Sequence, residues 1–266
     1  MLELYHGATS VCSQKVRLVL EAKGVEWRGH MLDLNKREQF APAYLRLNPN
    51  GVVPTLVDDG APIIESTLIN EYVDDIVPEP ALKPASPLAR VKMRLWTKRL
   101  DEGLHSATSV ITFAAVLRHS RGRPGSPELA AYIAAIPNAK RREMIMQPIL
   151  DGPRAANVAP ALKLFEKTIG DMERALGEAP WLAGDSYSLA DAGLTPYIKR
   201  LDMLNLSDLW AGLPRVGEWY DRVRALPNYA PAIDTYISPQ LVEKYDAGGS
   251  ECHDAFMAAL RTDESD

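Results

Sequence analysis

The pattern of this chain changes once, and it changes across prolines. The stretch Val77-Pro-Glu-Pro-Ala-Leu-Lys-Pro-Ala-Ser-Pro87 holds four prolines in eleven residues. Proline fixes φ and lacks an N–H, so neither a helix nor a strand ladder runs through such a segment. It reads as a link between two domains, residues 1–80 and 88–237, with an extension over 238–266.

Before the link, strand and helix signals alternate. Short apolar strands are predicted at Leu2–Tyr5, Trp27–Leu32, Val52–Val57 and Pro62–Ile64. Helices are predicted over 13–23, closed by Gly24, over 38–46, and from Glu65 or Ser66 to Ile76. Asp58-Asp59-Gly60 marks a hairpin between the last two strands. The order β-α-β-α-β-β-α implies an α/β sheet ending in a hairpin. After the link no strand signal remains. One long helix is expected over 88–118 and two short ones over 127–150, broken near Pro137. Others follow over 159–176, 188–203, 214–226 and 228–236, so this half is all-α. The tail from Ser238 is polar and contains glycine, and is expected to lie at the periphery.

Composition excludes several functions. The net charge of −5 argues against nucleic acid as a partner, because phosphate binding needs clustered Lys and Arg. No run is long enough to span a bilayer and no signal segment is seen, which makes the cytoplasm the default. The two cysteines, Cys12 and Cys252, lie far apart and fit a reducing compartment. The five histidines and two cysteines show no metal-ligand spacing, so no metal site is expected. Cys252, among polar residues, is read as incidental.

Four segments carry chemistry. Thr9-Ser10-Val11-Cys12-Ser13 opens the first helix, where free backbone N–H groups favour a thiolate. A free thiol is only roughly 3% ionised at pH 7. One hydrogen bond to the charged form contributes about 1.5–3 kcal/mol, enough to lower its pKa by about two units. Ser10, Cys12 and Ser13 are the candidates; the alternative is a helix cap beside a small buried Cys12. In Val52-Val53-Pro54-Thr55-Leu56 the proline sits in a strand pattern. A cis Val53–Pro54 bond would offer the backbone of Val53 to a peptide ligand as an added strand; a trans edge proline would not. Glu65-Ser66 opens a helix. The acid could hold an ammonium while the hydroxyl and helix N–H groups hold a carboxylate, the two charges of a γ-glutamyl group; the alternative is a plain N-cap. Ser188-Leu-Ala-Asp191 reads as a capping box with a structural role.

The segments Ser10–Arg17, Asn48–Leu56, Glu65-Ser66 and Ser188–Asp191, in this order and spacing, resemble the cytosolic glutathione S-transferase superfamily over about residues 1–236. The resemblance implies a thioredoxin-like N-terminal domain, an all-helical C-terminal domain, glutathione as co-substrate and a homodimer. Glutathione would then lie along Val53, Pro54, Glu65 and Ser66. Ser10 or Ser13 would activate its thiol, and Cys12 would take part only if the chemistry is reductive. Tyr5 lies inside the first strand and cannot serve. Tyr44–Asn48, Val52–Leu56 and Asp202–Asn205 look similar to glutathione-dependent reductive dehalogenases. Glu65–Tyr72, Met93–Lys98 and Ile136–Glu143 look like bacterial lignin β-etherases. The expected reaction is displacement of an aryloxide or halide from a small aromatic electrophile, held against the long helix by Trp96, Arg99, Leu100 and Leu104. The alternatives are a Cys12-dependent dehalogenase or thiol–disulfide enzyme, and a non-catalytic glutathione-binding protein.

Overall fold

A computed structural model of the chain describes residues 1–261; the last five residues of the expected extension lie outside it. The N-terminal half is one four-stranded sheet, ordered β2-β1-β3-β4, with β1 Leu2–His6, β2 Trp27–Met31, β3 Thr55–Asp58 and β4 Ala61–Ile63. β2 runs parallel to β1, and β3 and β4 follow antiparallel, with Leu4 opposite Leu56. Helices α1 (Val11–Lys23) and α3 (Ser66–Ile76) pack together, and a short α2 (Pro42–Leu45) lies between β2 and β3. The expected element order is present. One boundary moves: β3 starts at Thr55 rather than Val52. The Val53–Pro54 bond is cis, and the carbonyl of Val52 is held by Tyr44 Oη at 2.5 Å and Asn48 Nδ2 at 2.9 Å instead of by a neighbouring strand.

The C-terminal half is helical: α4 (Pro87–Arg99), α5 (His105–Ala115), α6 (Pro127–Ala134), α7 (Ala139–Asp151), α8 (Val158–Leu176), α9 (Leu189–Met203), α10 (Pro214–Arg224), α11 (Tyr229–Ala232) and α12 (Pro239–Arg261). The long helix expected over 88–118 is therefore two helices, separated by a wide π-type turn at Leu100–Leu104. The tail, expected to be polar and peripheral, is the 23-residue α12, and it packs on α5 and α8. Tyr245, Cys252 and Phe256 are buried in its contact, so the setting of Cys252 is apolar rather than polar. Gly248 and Gly249 make that contact possible. A Cβ on Gly249 would lie 2.2 Å from the carbonyl oxygen of Leu204, and one on Gly248 would lie 2.6 Å from that of Ala115.

Two buried polar groups fix the position of the α1 start. Arg17 donates to the carbonyls of Ala232 (2.6 Å), Gly7 (3.1 Å) and Ala8 (3.0 Å), and its guanidinium lies over the ring of Tyr236. Burial and the charge of Arg17 push His6 down to about 4, so its neutral Nδ1 accepts from Arg17 at 3.0 Å. Asp191 closes the capping box with Ser188. It also accepts from Leu182 N at 3.0 Å and Trp219 Nε1 at 2.9 Å, the structural role expected of it.

Candidate active site

The turn Gly7–Ser10 brings β1 into α1 at the junction of the two halves. Ser10 is the N-cap, and its Oγ accepts from Ser13 N at 3.3 Å. It also lines a cavity of about 460 Å³. Ser13, the neighbouring candidate, is fully buried, and its Oγ accepts from Gly7 N at 3.1 Å. Ser13 therefore ties the turn together and does not line the cavity. Cys12 is half-buried and turns to a third direction. Its Sγ lies 3.4 Å from His105 Nδ1 on α5. Burial pushes the thiol up, but the charge and hydrogen bond of His105, with Lys15 and the Ser66 hydroxyl, outweigh it and bring Cys12 down to about 6.

The remaining candidates of the N-terminal half lie close by. Val53 stands before the start of β3, outside the ladder, cis to Pro54. Glu65, the N-cap of α3, is exposed and holds φ 68°, ψ 102°. A positive φ is uncommon for a residue with a side chain, and such conformations concentrate at functional sites. Ser66 is buried as the first residue of α3 and faces Cys12.

The expected electrophile residues do not line the cavity. Trp96 is buried and donates to Leu182 O at 2.9 Å; Arg99 is exposed, pairs with Asp171 and lies over Trp96. Leu100 and Leu104 are core. Trp96 and Arg99 stand on α4, before the kink at Leu100–Leu104 where Gly103 leaves helical geometry, and Leu100 and Leu104 turn into the core at that kink. The wall is instead the next three turns: His105, Thr108, Ser109, Thr112 and Phe113. This spacing of i, i+3, i+4, i+7 and i+8 puts polar groups on one face of an otherwise apolar helix, a signal readable in sequence. Arg121, Arg200 and Tyr245 complete the wall, and no sequence pattern marked them.

The family profile of the glutathione S-transferase N-terminal domain matches residues 9–76, and that of the C-terminal domain matches 155–222. Protein LigF of Sphingobium sp. (strain NBRC 103272 / SYK-6) is 32% identical over 198 residues, 71% of this chain and 75% of that protein. The chain belongs to the glutathione S-transferase family. The tetrachloro-p-hydroquinone reductive dehalogenase of Sphingobium chlorophenolicum is 27% identical over 250 residues, covering 87% of this chain and 95% of that one. The crystal structure of the β-etherase LigF from Sphingobium sp. strain SYK-6 superposes with a TM-score of 0.79 at 27% identity, over 88% of this chain and 99% of that one. The N-terminal match of this glutathione S-transferase family member contains Ser10, Cys12, Val53 and the Glu65–Ser66 pair. The cavity residues His105, Arg121 and Tyr245 lie outside both matched segments. Among the described residues no helix is long and apolar enough to cross a membrane.

Proposed function

We propose that this protein is a glutathione transferase that displaces an aryloxide from an aromatic electrophile, cleaving β-aryl ethers. The observation that carries this reading is Ser10: of the three candidates at the start of α1, it alone lines the cavity. In this reading Ser66 and the α3 N-terminus take the γ-glutamyl carboxylate, and Glu65 takes the ammonium. The backbone of Val53 pairs with the cysteinyl unit of glutathione as an added strand. The sulfur then reaches Ser10, whose hydroxyl donates to the thiolate while the helix start adds its partial positive charge. The electrophile occupies the cavity, where a volume of about 460 Å³ suits a small aromatic molecule. The thiolate attacks the carbon bearing the aryloxide, a C–S bond forms, and the phenol leaves. The likeness to the β-etherase LigF, in sequence and in fold, supports the ether as substrate. The exposed apolar side chains Leu68, Val91 and Leu95 on α3 and α4 suit a homodimer.

Cys12 supports a second reading. With a thiol near 6 beside His105, it is poised for thiol exchange at neutral pH. In a reductive dehalogenation, glutathione replaces chloride on a hydroquinone ring. Cys12 then takes the glutathionyl sulfur as a mixed disulfide, the ring carbon gains a proton, and a second glutathione releases Cys12 as the thiolate. The balance is loss of HCl from one C–Cl bond and two glutathiones, with gain of one C–H bond and one glutathione disulfide. Mass spectrometry of products separates the readings, after incubation with glutathione and either a β-aryl ether or a chlorinated hydroquinone. A thioether plus free phenol is the expected result. A dechlorinated ring plus glutathione disulfide would establish the second reading. Glutathione binding without turnover of either compound would make this a non-catalytic binding protein.

A further inference from the structure

The cavity is cationic in an acidic protein. Arg121, Arg141, Arg200 and Lys244 line it against a single carboxylate, Asp33, although the whole chain carries a net charge of −5. Two of these cations are buried without a counter-charge. Arg200 is 6% exposed and Arg121 is 7% exposed, and neither forms a salt bridge among the described residues. Arg200 Nη1 donates to Thr112 Oγ1 at 2.9 Å and Nη2 donates to the carbonyl of Thr9. Its guanidinium lies 4.7 Å from the ring centre of Tyr245. Arg121 Nη1 donates to Asn35 Oδ1 at 3.2 Å, and its guanidinium lies 4.9 Å from the ring centre of Tyr132. In both residues Nε has no partner.

A guanidinium brings five N–H donors, and only two from Arg200 are taken. Burying a charge is costly unless it is paired, and none of its protein partners is anionic. Arg200 is on α9, so it is held by the helical core; one of its two protein bonds goes to Thr112 on α5, and the other reaches the turn before α1 at Thr9, one residue before Ser10. An uncompensated, oriented fork beside the reacting hydroxyl is what a planar anion would complete.

We infer that the electrophile of this enzyme is an aromatic molecule bearing a carboxylate, which Arg200 anchors while Arg121, Arg141 and Lys244 raise the local positive potential. This rests on the placement of the electrophile in the cavity proposed above. Arg200 sets which electrophiles are bound, and Ser10 keeps the work on sulfur.

The test uses two glutathione conjugates that differ in one group: a nitrophenyl thioether with a ring carboxylate, and its carboxamide twin. Both share the glutathione part, so its own carboxylates cancel. Titration calorimetry on the full chain should show the carboxylate conjugate binding about tenfold tighter, the lower end for a hydrogen bond to a charged group. Arg200→Gln should bring the two to within about twofold, and Arg200→Lys should keep part of the difference. Equal binding of the twins to the wild-type protein overturns the inference, and this measurement needs no variant to fold. A difference that persists in a folded Arg200→Gln protein overturns the assignment to Arg200. If Arg200→Gln instead lowers the thiolate absorbance of bound glutathione and weakens both twins equally, Arg200 serves the sulfur and the inference falls. Absence of turnover of any electrophile, with the binding difference intact, would sink the transferase reading alone.

Discussion

The two sides of the active site are built differently. The side assigned to glutathione comes from short local stretches between Ser10 and Ser66, and it works mostly through backbone: two helix starts and a residue left outside a strand ladder. The side facing the cavity is assembled from side chains far apart in the chain, His105 on α5, Arg121, Arg200 on α9 and Tyr245 on α12. Backbone groups are set by the fold and survive most substitutions. Side chains on a helical wall can change without altering the fold. In the proposed reading the thiol chemistry therefore sits on the first side, and the choice of electrophile sits on the second.

The largest effect expected from this division is at neighbouring serines. In the proposed reading Ser10→Ala removes a hydrogen bond to a charged sulfur, and kcat/KM with any electrophile should fall up to about 100-fold, while loss of the N-cap bond to Ser13 N costs about 1 kcal/mol of stability. Ser13→Ala should spare the chemistry and act on stability. It strands the buried N–H of Gly7 and costs about 1–3 kcal/mol of stability, while the kcat of the folded fraction stays within a few-fold. Steady-state kinetics beside denaturant unfolding checks both. A catalytic loss in Ser13→Ala that exceeds the loss in Ser10→Ala would exchange the two roles.

Those serines also show what the sequence could tell. The segment was legible because a polar turn lies between an apolar strand and a helical period. Which hydroxyl faces outward was not, since it depends on Gly7 N being close enough to capture Ser13. The order of elements along the first half and the helical second half were legible from periodicity. Trp96, Arg99, Leu100 and Leu104 were placed on one continuous helix; the chain kinks at Leu100–Leu104, and on this segment the cavity lining starts only beyond the kink, at His105. The tail was misread for a related reason. Gly248-Gly249 weakens a helix by propensity, yet here it allows close approach to two carbonyls, and packing outweighs propensity. Arg200 carried no local signal, because a buried cation is recognised only from what surrounds it.

A second, smaller effect would blur the division, because His105 belongs to the cavity wall but acts on Cys12. With its thiol near 6, Cys12 should be about nine-tenths ionised at pH 7 and about one-tenth at pH 5. Its rate of alkylation by iodoacetamide should rise over that range and level off above it. Cys252 is fully buried, and burial pushes its thiol up, so it should stay unmodified in the native protein. In His105→Ala the lowering influence is lost, and the Cys12 rate at pH 7 should drop about tenfold, a fall tempered by the greater nucleophilicity of a more basic thiol. Peptide mass mapping of the labelled protein reads both cysteines at once. A pH profile unmoved by His105→Ala would mean that the two sides are electrostatically independent.

The smallest expected effect sharpens the comparison most, because it touches the cavity wall without touching any ligand group. Gly249→Ala adds a Cβ where 2.2 Å separates it from the carbonyl oxygen of Leu204, which is backbone and cannot swing aside. Helix α12 must lift by a fraction of its contact, and overpacking of this kind costs about 1–3 kcal/mol. Tyr245 is four residues before Gly249, one helical turn away and on the same face. Its hydroxyl lies 3.3 Å from Thr9 Oγ1, and its ring lies beneath Arg200. The displacement should therefore reach the electrophile wall and raise KM for the electrophile a few-fold. The affinity for glutathione, which the proposed reading assigns to α1, Val53 and α3, should stay as it was. Calorimetric titration with glutathione beside the electrophile KM separates the two. If glutathione affinity falls as far as the electrophile KM rises, α12 braces the α1 turn through Tyr245 and Thr9, and the two sides form one mechanical unit.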